Sequence, residues 1–178
     1  ATKERVEDSL LEAGLGRDSV IVAMGGGVVP DLAGFVAATY MRGVPCVLVP
    51  TTLLAMVDAS IGGKTGVDHP KGKNLIGAFH QPAAVFTDVD FVSTLPEREF
   101  RSGLAEVVKT GVIRSRDLFD RIAAAAGDLG ARNPEIMTDL IAGACRIKAE
   151  VVAADEREGD LRKILNFGHT VGHAIEAL

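Results

Sequence analysis

The sequence contains no tryptophan and a single tyrosine among its 178 residues. It therefore offers few aromatic rings on which nucleic-acid bases could stack. The charge has the same implication, because the formal net charge is −5 and the lysines and arginines form no basic block. Both features argue against a nucleic-acid partner.

Long apolar runs and paired cysteines are also missing. No stretch reaches the roughly 18 apolar residues of a membrane span, and no signal peptide is visible. The two cysteines, Cys46 and Cys145, lie far apart and form no CxxC motif, which is typical of free thiols in a reducing compartment. We therefore expect a cytoplasmic protein with no membrane partner.

Glycine and proline divide the first half of the chain into short segments. Apolar runs predict strands at residues 19–24, 45–49 and 84–88. A helix at 3–15 precedes the first strand, and helices at 30–39 and 51–60 lie between the strands. The first run is continuously apolar, as in a buried parallel strand. After Pro96 the pattern predicts only helices, at 97–112, 134–154 and 161–178. We therefore predict an α/β unit over residues 1–95 and a helical unit over residues 96–178.

Three consecutive glycines, Gly25, Gly26 and Gly27, follow the first predicted strand. The pyrophosphate of a dinucleotide binds at such a place, because glycines let it approach backbone N–H groups at a helix N-terminus. The strict G-x-G-x-x-G pattern is not met, since Pro30 occupies its last position. The residues alone leave a nucleotide loop and a plain tight turn as equal alternatives.

A second glycine-rich segment, residues 58–66, is predicted to be a loop that carries Lys64. It is not a P-loop, because Asp58 stands where that motif requires glycine. Lys71 and Lys73 follow it. Clustered lysines suit a small ligand with several negative charges, and solvated surface lysines are the alternative.

His169 and His173 are four residues apart in the last predicted helix, so both imidazoles lie on one face. Such a pair can hold a metal, or one histidine can bind metal while the other moves protons. The zinc-protease motif H-E-x-x-H is not met, since Thr170 replaces its glutamate. Arg162 and Asn166 fall on nearly the same face of this helix, which indicates a polar site.

Other charged residues have simpler interpretations. Glu106 and Lys109, three residues apart on one helix, can form an ordinary ion pair or belong to a site. Lys148 adjoins the apolar stripe of its helix, and residues 155–158 are predicted to form a solvated turn.

Several stretches in fixed order, at residues 25–35, 50–54, 58–74, 105–109 and 165–176, resemble the 3-dehydroquinate synthases. The resemblance runs from about residue 20 to the end of the chain. It implies a Rossmann-like, nucleotide-binding α/β layer followed by an all-α metal-binding domain, with parts of the fold missing at both ends. It also implies a homodimer for the intact protein.

By this resemblance the protein is a phosphate-eliminating lyase. The family converts the sugar phosphate DAHP (3-deoxy-D-arabino-heptulosonate 7-phosphate) to 3-dehydroquinate and phosphate, the second step of the shikimate pathway. Its reaction involves transient oxidation by NAD, phosphate elimination, reduction and aldol closure, with a divalent metal, zinc or cobalt. The third metal ligand is expected in a later segment, so we expect the 178 residues alone to be inactive.

The resemblance also implies roles for single residues. The metal ligands are Glu106 and His169. The NAD-binding residues are Gly27, Val28, Val29, Pro30, Asp31, Thr51, Thr52, Lys64, Lys73, Phe91, Val92, Ser93 and Thr94. The substrate-binding and catalytic residues are Asp58, Asn74, Lys109, Lys148, Arg162, Asn166 and His173, together with Arg42 from across the dimer interface.

The sequence departs from the family pattern at Pro30, where glycine is usual, and at Asp68, where asparagine is common. Pro30 removes one backbone donor from the phosphate loop. Three alternatives stay open: another sugar phosphate cyclase, a metal-dependent alcohol dehydrogenase that releases NADH, and an inactive NAD-binding fragment. The loop at residues 62–66 favours dehydroquinate synthase over the other cyclases.

Overall fold

The computed structural model describes residues 2–176, apart from the side chains of Lys73, Asn74, Val171, His173, Ala174 and Glu176. Its helices are α1 (Thr2–Glu12), α2 (Val28–Thr39), α3 (Glu97–Arg114), α4 (Arg116–Ala125), α5 (Pro134–Ala154) and α6 (His169–Glu176). Its strands are β1 (Ile21–Gly25), β2 (Cys46–Pro50), β3 (Lys64–His69), β4 (Gly72–Phe79) and β5 (Ala84–Val85). A π-helix covers Ala55–Ala59, and 3-10 helices cover Tyr40–Arg42, Val89–Thr94, Leu129–Ala131 and Leu161–Asn166.

The three predicted strands form one parallel sheet in the order β1-β2-β5. Gly25 at the end of β1 pairs with Pro50 at the end of β2, so the segments that follow the two strands lie side by side. The backbone N–H of Thr51 donates to the carbonyl of Gly25 at 3.0 Å. The sheet and α2 confirm the predicted α/β layer, although α2 begins at Val28, two residues before the predicted start at Pro30.

The prediction that the first strand is buried is wrong for one of its faces. Ala23 packs against the core with 4% of its surface exposed, whereas Val22 and Met24 are 65% and 61% exposed. Successive side chains of a strand point to opposite faces. Among the described residues, only one face of β1 is therefore covered.

The glycine-rich segment 58–66 is not a single loop, because it starts in the π-helix Ala55–Ala59 and runs into the first strand of an antiparallel hairpin. The hairpin strands β3 and β4 pair from Lys64 opposite Phe79 to His69 opposite Gly72, with an irregularity after Val67. The hydroxyl of Thr65 donates to the carbonyl of Ala78 at 2.8 Å. Glycine and lysine have low strand propensity, so the composition of this segment concealed its pairing.

The helical half is built on α3, α4 and α5, and α5 has the predicted bounds. The sequence prediction missed α4, which Ser115 caps by accepting from the backbone N–H of Leu118 at 3.1 Å. A core of buried residues joins these helices to the π-helix and the 3-10 helix Val89–Thr94: Leu53, Met56, Val57, Val92, Leu95, Phe100, Val107, Leu118, Ile122, Leu129, Met137, Leu140, Ile141 and Ala144. The domain boundary near residue 95 stays a prediction.

The final predicted helix is divided into two. Residues 161–166 form a 3-10 helix, and α6 begins only at His169. Gly168 lies between them with φ of +82°, a conformation that glycine adopts without strain. The single helix 161–178 was therefore wrong, and residues 177 and 178 lie outside the described part of the chain. None of the helices within residues 2–176 is both long and apolar enough to cross a membrane.

Gly103 permits the close approach of α3 to the segment that precedes the π-helix. A Cβ at this position would lie 2.6 Å from the Cβ of Leu53 and 2.6 Å from the backbone nitrogen of Leu54. We expect Gly103→Ala to lower the free energy of unfolding by about 1–3 kcal/mol in urea titrations, because the helix must move away. Gly127→Ala is the control, since nothing lies within 4 Å of its added Cβ. An equal loss in both variants would contradict the prediction.

Candidate functional site

A pocket of about 600 Å³ lies between the hairpin, the π-helix and the segment that follows α5. Seven residues that the sequence singled out line it: Asp31, Asp58, Lys64, Lys148, Arg162, Asn166 and His169. They come from six separate segments, so the tertiary fold brings them together.

Asp58 and Lys148 form an ion pair on one side of this pocket. The Lys148 side chain is 9% exposed, and its Nζ also donates to the backbone carbonyl of Asp58 at 2.5 Å. Burial alone would raise the pKa of Asp58, but the charge and hydrogen bond of Lys148 outweigh it and hold the pKa below its ordinary value. Burial lowers the pKa of Lys148, and Asp58 opposes that shift. Asp58, whose side chain is partly exposed, thus offsets part of the cost of burying Lys148.

The π-helix places Asp58 at the pocket. The backbone N–H of Ser60 donates to the carbonyl of Ala55, five residues earlier, at 3.0 Å, which widens the turn. Two side chains of α5 bind carbonyls of this turn: the thiol of Cys145 reaches Met56 at 3.4 Å, and Lys148 reaches Asp58. Single π-turns of this kind occur often at functional sites.

Asp31 lies on the first turn of α2 and lines the same pocket. Burial raises its pKa from the ordinary 3.8 to about 6, and the negative charges of Asp58 and Asp68 act in the same direction. Lys148 opposes the shift. A carboxyl group with this pKa is partly protonated near neutral pH.

Arg162 is 2% exposed and binds backbone carbonyls on two segments. Its Nη2 donates to Gly62 at 3.0 Å, and its Nη1 donates to Glu156 at 2.5 Å. The guanidinium therefore joins the turn before β3 to the segment after α5. These contacts hold one wall of the pocket together.

Glu158 is a pocket residue that the sequence analysis missed. The predicted solvated turn at residues 155–158 is wrong for this side chain, which lines the pocket and pairs with Lys64. Asn166 also donates to it, at 2.8 Å. The hydrogen bond from Lys64 is the main reason that the pKa of Glu158 lies below its ordinary value. Its acidic neighbours in the sequence concealed this role.

Glu106 and His169 face each other from two helices. Nε2 of His169 lies 3.6 Å from Oε1 of Glu106, whose other oxygen accepts from Lys109. Glu106 and Lys109 thus form the i,i+3 ion pair that the sequence allowed, with side chains 18% and 10% exposed. Within the described side chains of residues 2–176, no group of three or more His, Cys, Asp and Glu residues is placed to hold a metal.

Apart from Lys64 on β3 and Lys73 on β4, the predicted NAD-binding residues fall into two groups. Residues 27–31 start α2 beside Thr51 and Thr52, at the carboxyl edge of the parallel sheet. Thr52 caps the turn before the π-helix by accepting from Ala55 N at 3.2 Å. Residues 91–94 belong to the 3-10 helix Val89–Thr94, against the helical core.

Four predicted site residues add no described side chain to the pocket. The side chains of Lys73, Asn74 and His173 lie outside the described part of the structure, although β4 and α6 include their backbones. Arg42 is exposed at the end of the 3-10 helix Tyr40–Arg42. It does not line the pocket.

Comparison with known proteins identifies the fold and the family. Residues 1–102 match the family described as 3-dehydroquinate synthase N-terminal, and residues 103–178 match its C-terminal counterpart. The chain belongs to the 3-dehydroquinate synthase family. A 3-dehydroquinate synthase of Geobacter metallireducens is 57% identical over 178 residues, which cover all of this chain and 49% of that protein. The chain thus spans about half the length of the curated relatives it matches.

Two solved structures of sugar phosphate cyclases share this family's fold. The 2-epi-5-epi-valiolone synthase of Streptomyces hygroscopicus, with NAD⁺ and Zn²⁺ bound, superposes with a TM-score of 0.91 at 34% identity, covering 98% of this chain and 49% of that one. A 2-deoxy-scyllo-inosose synthase complexed with carbaglucose-6-phosphate, NAD⁺ and Co²⁺ gives 0.88 at 32% identity, covering 99% and 48%. These findings confirm the predicted fold class, a Rossmann-like layer followed by a helical domain.

The shifted pKa of Asp31 predicts how stability depends on pH. The folded chain holds this proton up to about pH 6 and the unfolded chain only to about pH 4, so stability falls as the pH rises through this window. We expect Asp31→Asn to be more stable than wild type by on the order of 1–2 kcal/mol above about pH 7, after allowance for solvent screening, and equally stable near pH 4.

Urea titrations at the two pH values measure this difference. Asp8→Asn is the control, because Asp8 is exposed on α1. Its effect is expected to be the same at both pH values. A pH-independent effect of Asp31→Asn would show that the carboxyl group has an ordinary pKa.

Proposed function

We propose that the full-length protein is a 3-dehydroquinate synthase, which converts DAHP to 3-dehydroquinate and phosphate. The family membership and the 57% identity to the Geobacter enzyme support this activity. The observation that most supports it is the pocket, which is lined by cationic, carboxylate, amide and imidazole side chains. Its size and polar lining suit a small sugar phosphate. A cytoplasmic location and a homodimer with Arg42 at its interface belong to the same proposal.

Glu106 and His169 suit a divalent metal. In a tetrahedral zinc site, two ligand atoms each about 2.1 Å from the metal lie about 3.4 Å apart. The observed separation of 3.6 Å between Nε2 and Oε1 is close to this value. A carboxylate oxygen and an imidazole nitrogen are also ligands that zinc and cobalt accept. We therefore assign these two residues to the metal.

The edge of the parallel sheet suits NAD. Ligands of open α/β sheets bind outside the carboxyl ends of the strands, where the starts of α2 and of the Thr51-Thr52 segment lie. No side chain caps the N-terminus of α2. The N–H of Val29 donates to the carbonyl of Gly26, the N–H of Asp31 donates to that of Gly27, and Pro30 has no N–H. This helix start therefore supports a pyrophosphate chiefly through the helix dipole and the glycines that precede it. When bound, NAD supplies a reversible hydride acceptor, and the metal supplies a Lewis acid for the substrate's hydroxyl groups.

The chain's own residues bind and orient the substrate. Lys148 and Asn166 line the pocket, and with Lys109, which is assigned by resemblance, they present donors to its phosphate, carboxylate and hydroxyl groups, where charge-assisted hydrogen bonds are strong. Asp58 opposes the lowering of the pKa of Lys148 that burial causes. Arg162 holds the pocket wall, and Asn74 and His173 are assigned by resemblance to substrate binding and proton transfer.

The direct test is phosphate release from DAHP by the full-length protein, with zinc and a catalytic amount of NAD. We expect many turnovers per NAD and no net accumulation of NADH. NADH build-up in proportion to product would instead indicate an alcohol dehydrogenase. No turnover of DAHP under conditions in which the protein binds zinc and NAD would overturn the proposal.

A second candidate is another sugar phosphate cyclase. The observation that favours it is the close superposition on the valiolone and inosose synthases. Turnover of sedoheptulose 7-phosphate or glucose 6-phosphate, with none of DAHP, would decide for this class. The higher identity to a dehydroquinate synthase favours the first proposal.

Removal of one proposed ligand should reduce metal binding. We expect Glu106→Gln in the full-length protein to weaken zinc binding by more than about 100-fold, because even changes behind the ligands cost about 10–100-fold. Metal analysis after dialysis and the phosphate-release assay measure the effect. Glu99→Gln, an exposed position on the same helix α3, serves as the control. Full zinc content in Glu106→Gln would exclude Glu106 as a ligand.

We further propose that the 178 residues alone do not turn over DAHP. A catalytic zinc site takes three protein ligands, and the described side chains provide a pair rather than a group of three. The phosphate-release assay on the isolated chain should stay at background at zinc concentrations that saturate the full-length protein. Any turnover above background that requires Glu106 would refute this prediction.

A further inference from the structure

Arg132 reaches from the helical half of the chain to a segment assigned to NAD. Its Nη1 lies within hydrogen-bond distance of three backbone carbonyls, those of Val92 at 3.2 Å, Ser93 at 3.2 Å and Leu95 at 2.6 Å, so its two hydrogens are shared among them. Val92 and Ser93 belong to the 3-10 helix Val89–Thr94, and Leu95 is its C-cap. One guanidinium group thus contacts the carbonyls at the C-terminal end of this helix.

The 3-10 helix gains from an outside donor at this end, where the backbone N–H of the C-cap Leu95 reaches the carbonyl of Val92 at 3.3 Å but not those of Ser93 and Leu95. A helix leaves its last carbonyls without partners, and 3-10 geometry forms weaker bonds than an α-helix. The hydroxyls of Ser93 and Thr94 donate to earlier carbonyls, those of Asp90 at 2.7 Å and Phe91 at 2.9 Å. They do not serve the terminal carbonyls, which Arg132 binds with a positive charge placed favourably at a helix C-terminus.

Arg132 is itself held in place. Its backbone has φ of +51°, in the left-handed region, directly after the 3-10 helix Leu129–Ala131. Its guanidinium lies 4.7 Å from the centroid of the buried Phe100 ring, and its Nη2 is 3.1 Å from Glu97. With 14% of the side chain exposed, this arrangement differs from a solvated surface ion pair.

We infer that Arg132 is a positioning residue for the cofactor: it fixes the 3-10 helix Val89–Thr94 in the conformation that binds NAD. The inference rests on the proposed function, which assigns residues 91–94 to NAD. The side chains of Val92 and Leu95 are anchored in the core, but core packing does not satisfy the carbonyls at the end of the helix. Without Arg132, these carbonyls turn towards water, and the ordering of the segment becomes a cost of binding NAD.

The test compares Arg132→Gln with Arg121→Gln in the full-length protein. Arg121 is the matched control, because its guanidinium pairs with Asp117 and Asp139 on α4 and α5 and does not contact the 3-10 helix. Titration calorimetry well below the melting temperature measures the Kd for NAD. We expect Arg132→Gln to raise this Kd about tenfold, the change that corresponds to one lost hydrogen bond, and Arg121→Gln to leave it within about twofold.

Two further measurements separate positioning from general stability. Amide hydrogen exchange should become faster across residues 89–97 in Arg132→Gln and not in Arg121→Gln, while zinc affinity stays unchanged in both. Arg132→Lys should restore only part of the NAD affinity, because a lysine keeps the positive charge but loses the contact of Nη2 with Glu97 and the planar group that lies over Phe100. If Arg132→Gln does not fold, the Kd for NAD and the amide hydrogen exchange of Arg132→Lys test the role of Arg132 instead.

The outcomes are distinguishable. A lower melting temperature with an unchanged Kd for NAD would show that Arg132 has a structural role only, and it would overturn this inference while leaving the proposed function intact. A wild-type protein that does not bind NAD would overturn the proposed function and this inference together. A raised Kd in both Arg132→Gln and Arg121→Gln would also count against a specific role of Arg132.

Discussion

The ion pair between Asp58 and the almost fully buried Lys148 is the constraint on which the site depends. A lysine on α5 that is almost fully buried requires a negative partner, since an isolated charge in such a place is strongly destabilising. Asp58 provides it from a π-helix whose widened turn also presents a carbonyl to the same ammonium group. The pair thereby joins the α/β half of the chain to the helical half at the floor of the pocket.

The walls of the pocket are held by the same kind of interaction. Arg162 joins the turn before the hairpin to the segment after α5, and Glu158 joins Lys64 to Asn166. Charged side chains that we assign to anionic ligands are thus paired with carboxylates and carbonyls of the chain. These contacts orient the side chains before a ligand binds, which is the basis of electrostatic preorganisation.

Much of the fold could be predicted from periodicity. The 3.6-residue pattern gave α5 its bounds, and the apolar runs located three parallel strands. The hairpin β3–β4 was not predicted, because glycine and lysine have low strand propensity. The exposure of Val22 and Met24 was not predicted either. A continuous apolar run does not show which face of a strand is covered by other segments of the chain.

The sequence by itself determined the family, because long motifs in fixed order are specific, and by resemblance it predicted that Asp58, Lys148, Arg162 and His169 are site residues. Only the tertiary structure decided where these residues lie relative to one another. It placed Nε2 of His169 3.6 Å from Glu106, it divided the last helix at Gly168, and it brought Glu158 and Arg132 into contact with segments far away in sequence. Such contacts depend on chain packing over long sequence distances, which no local pattern of residues encodes.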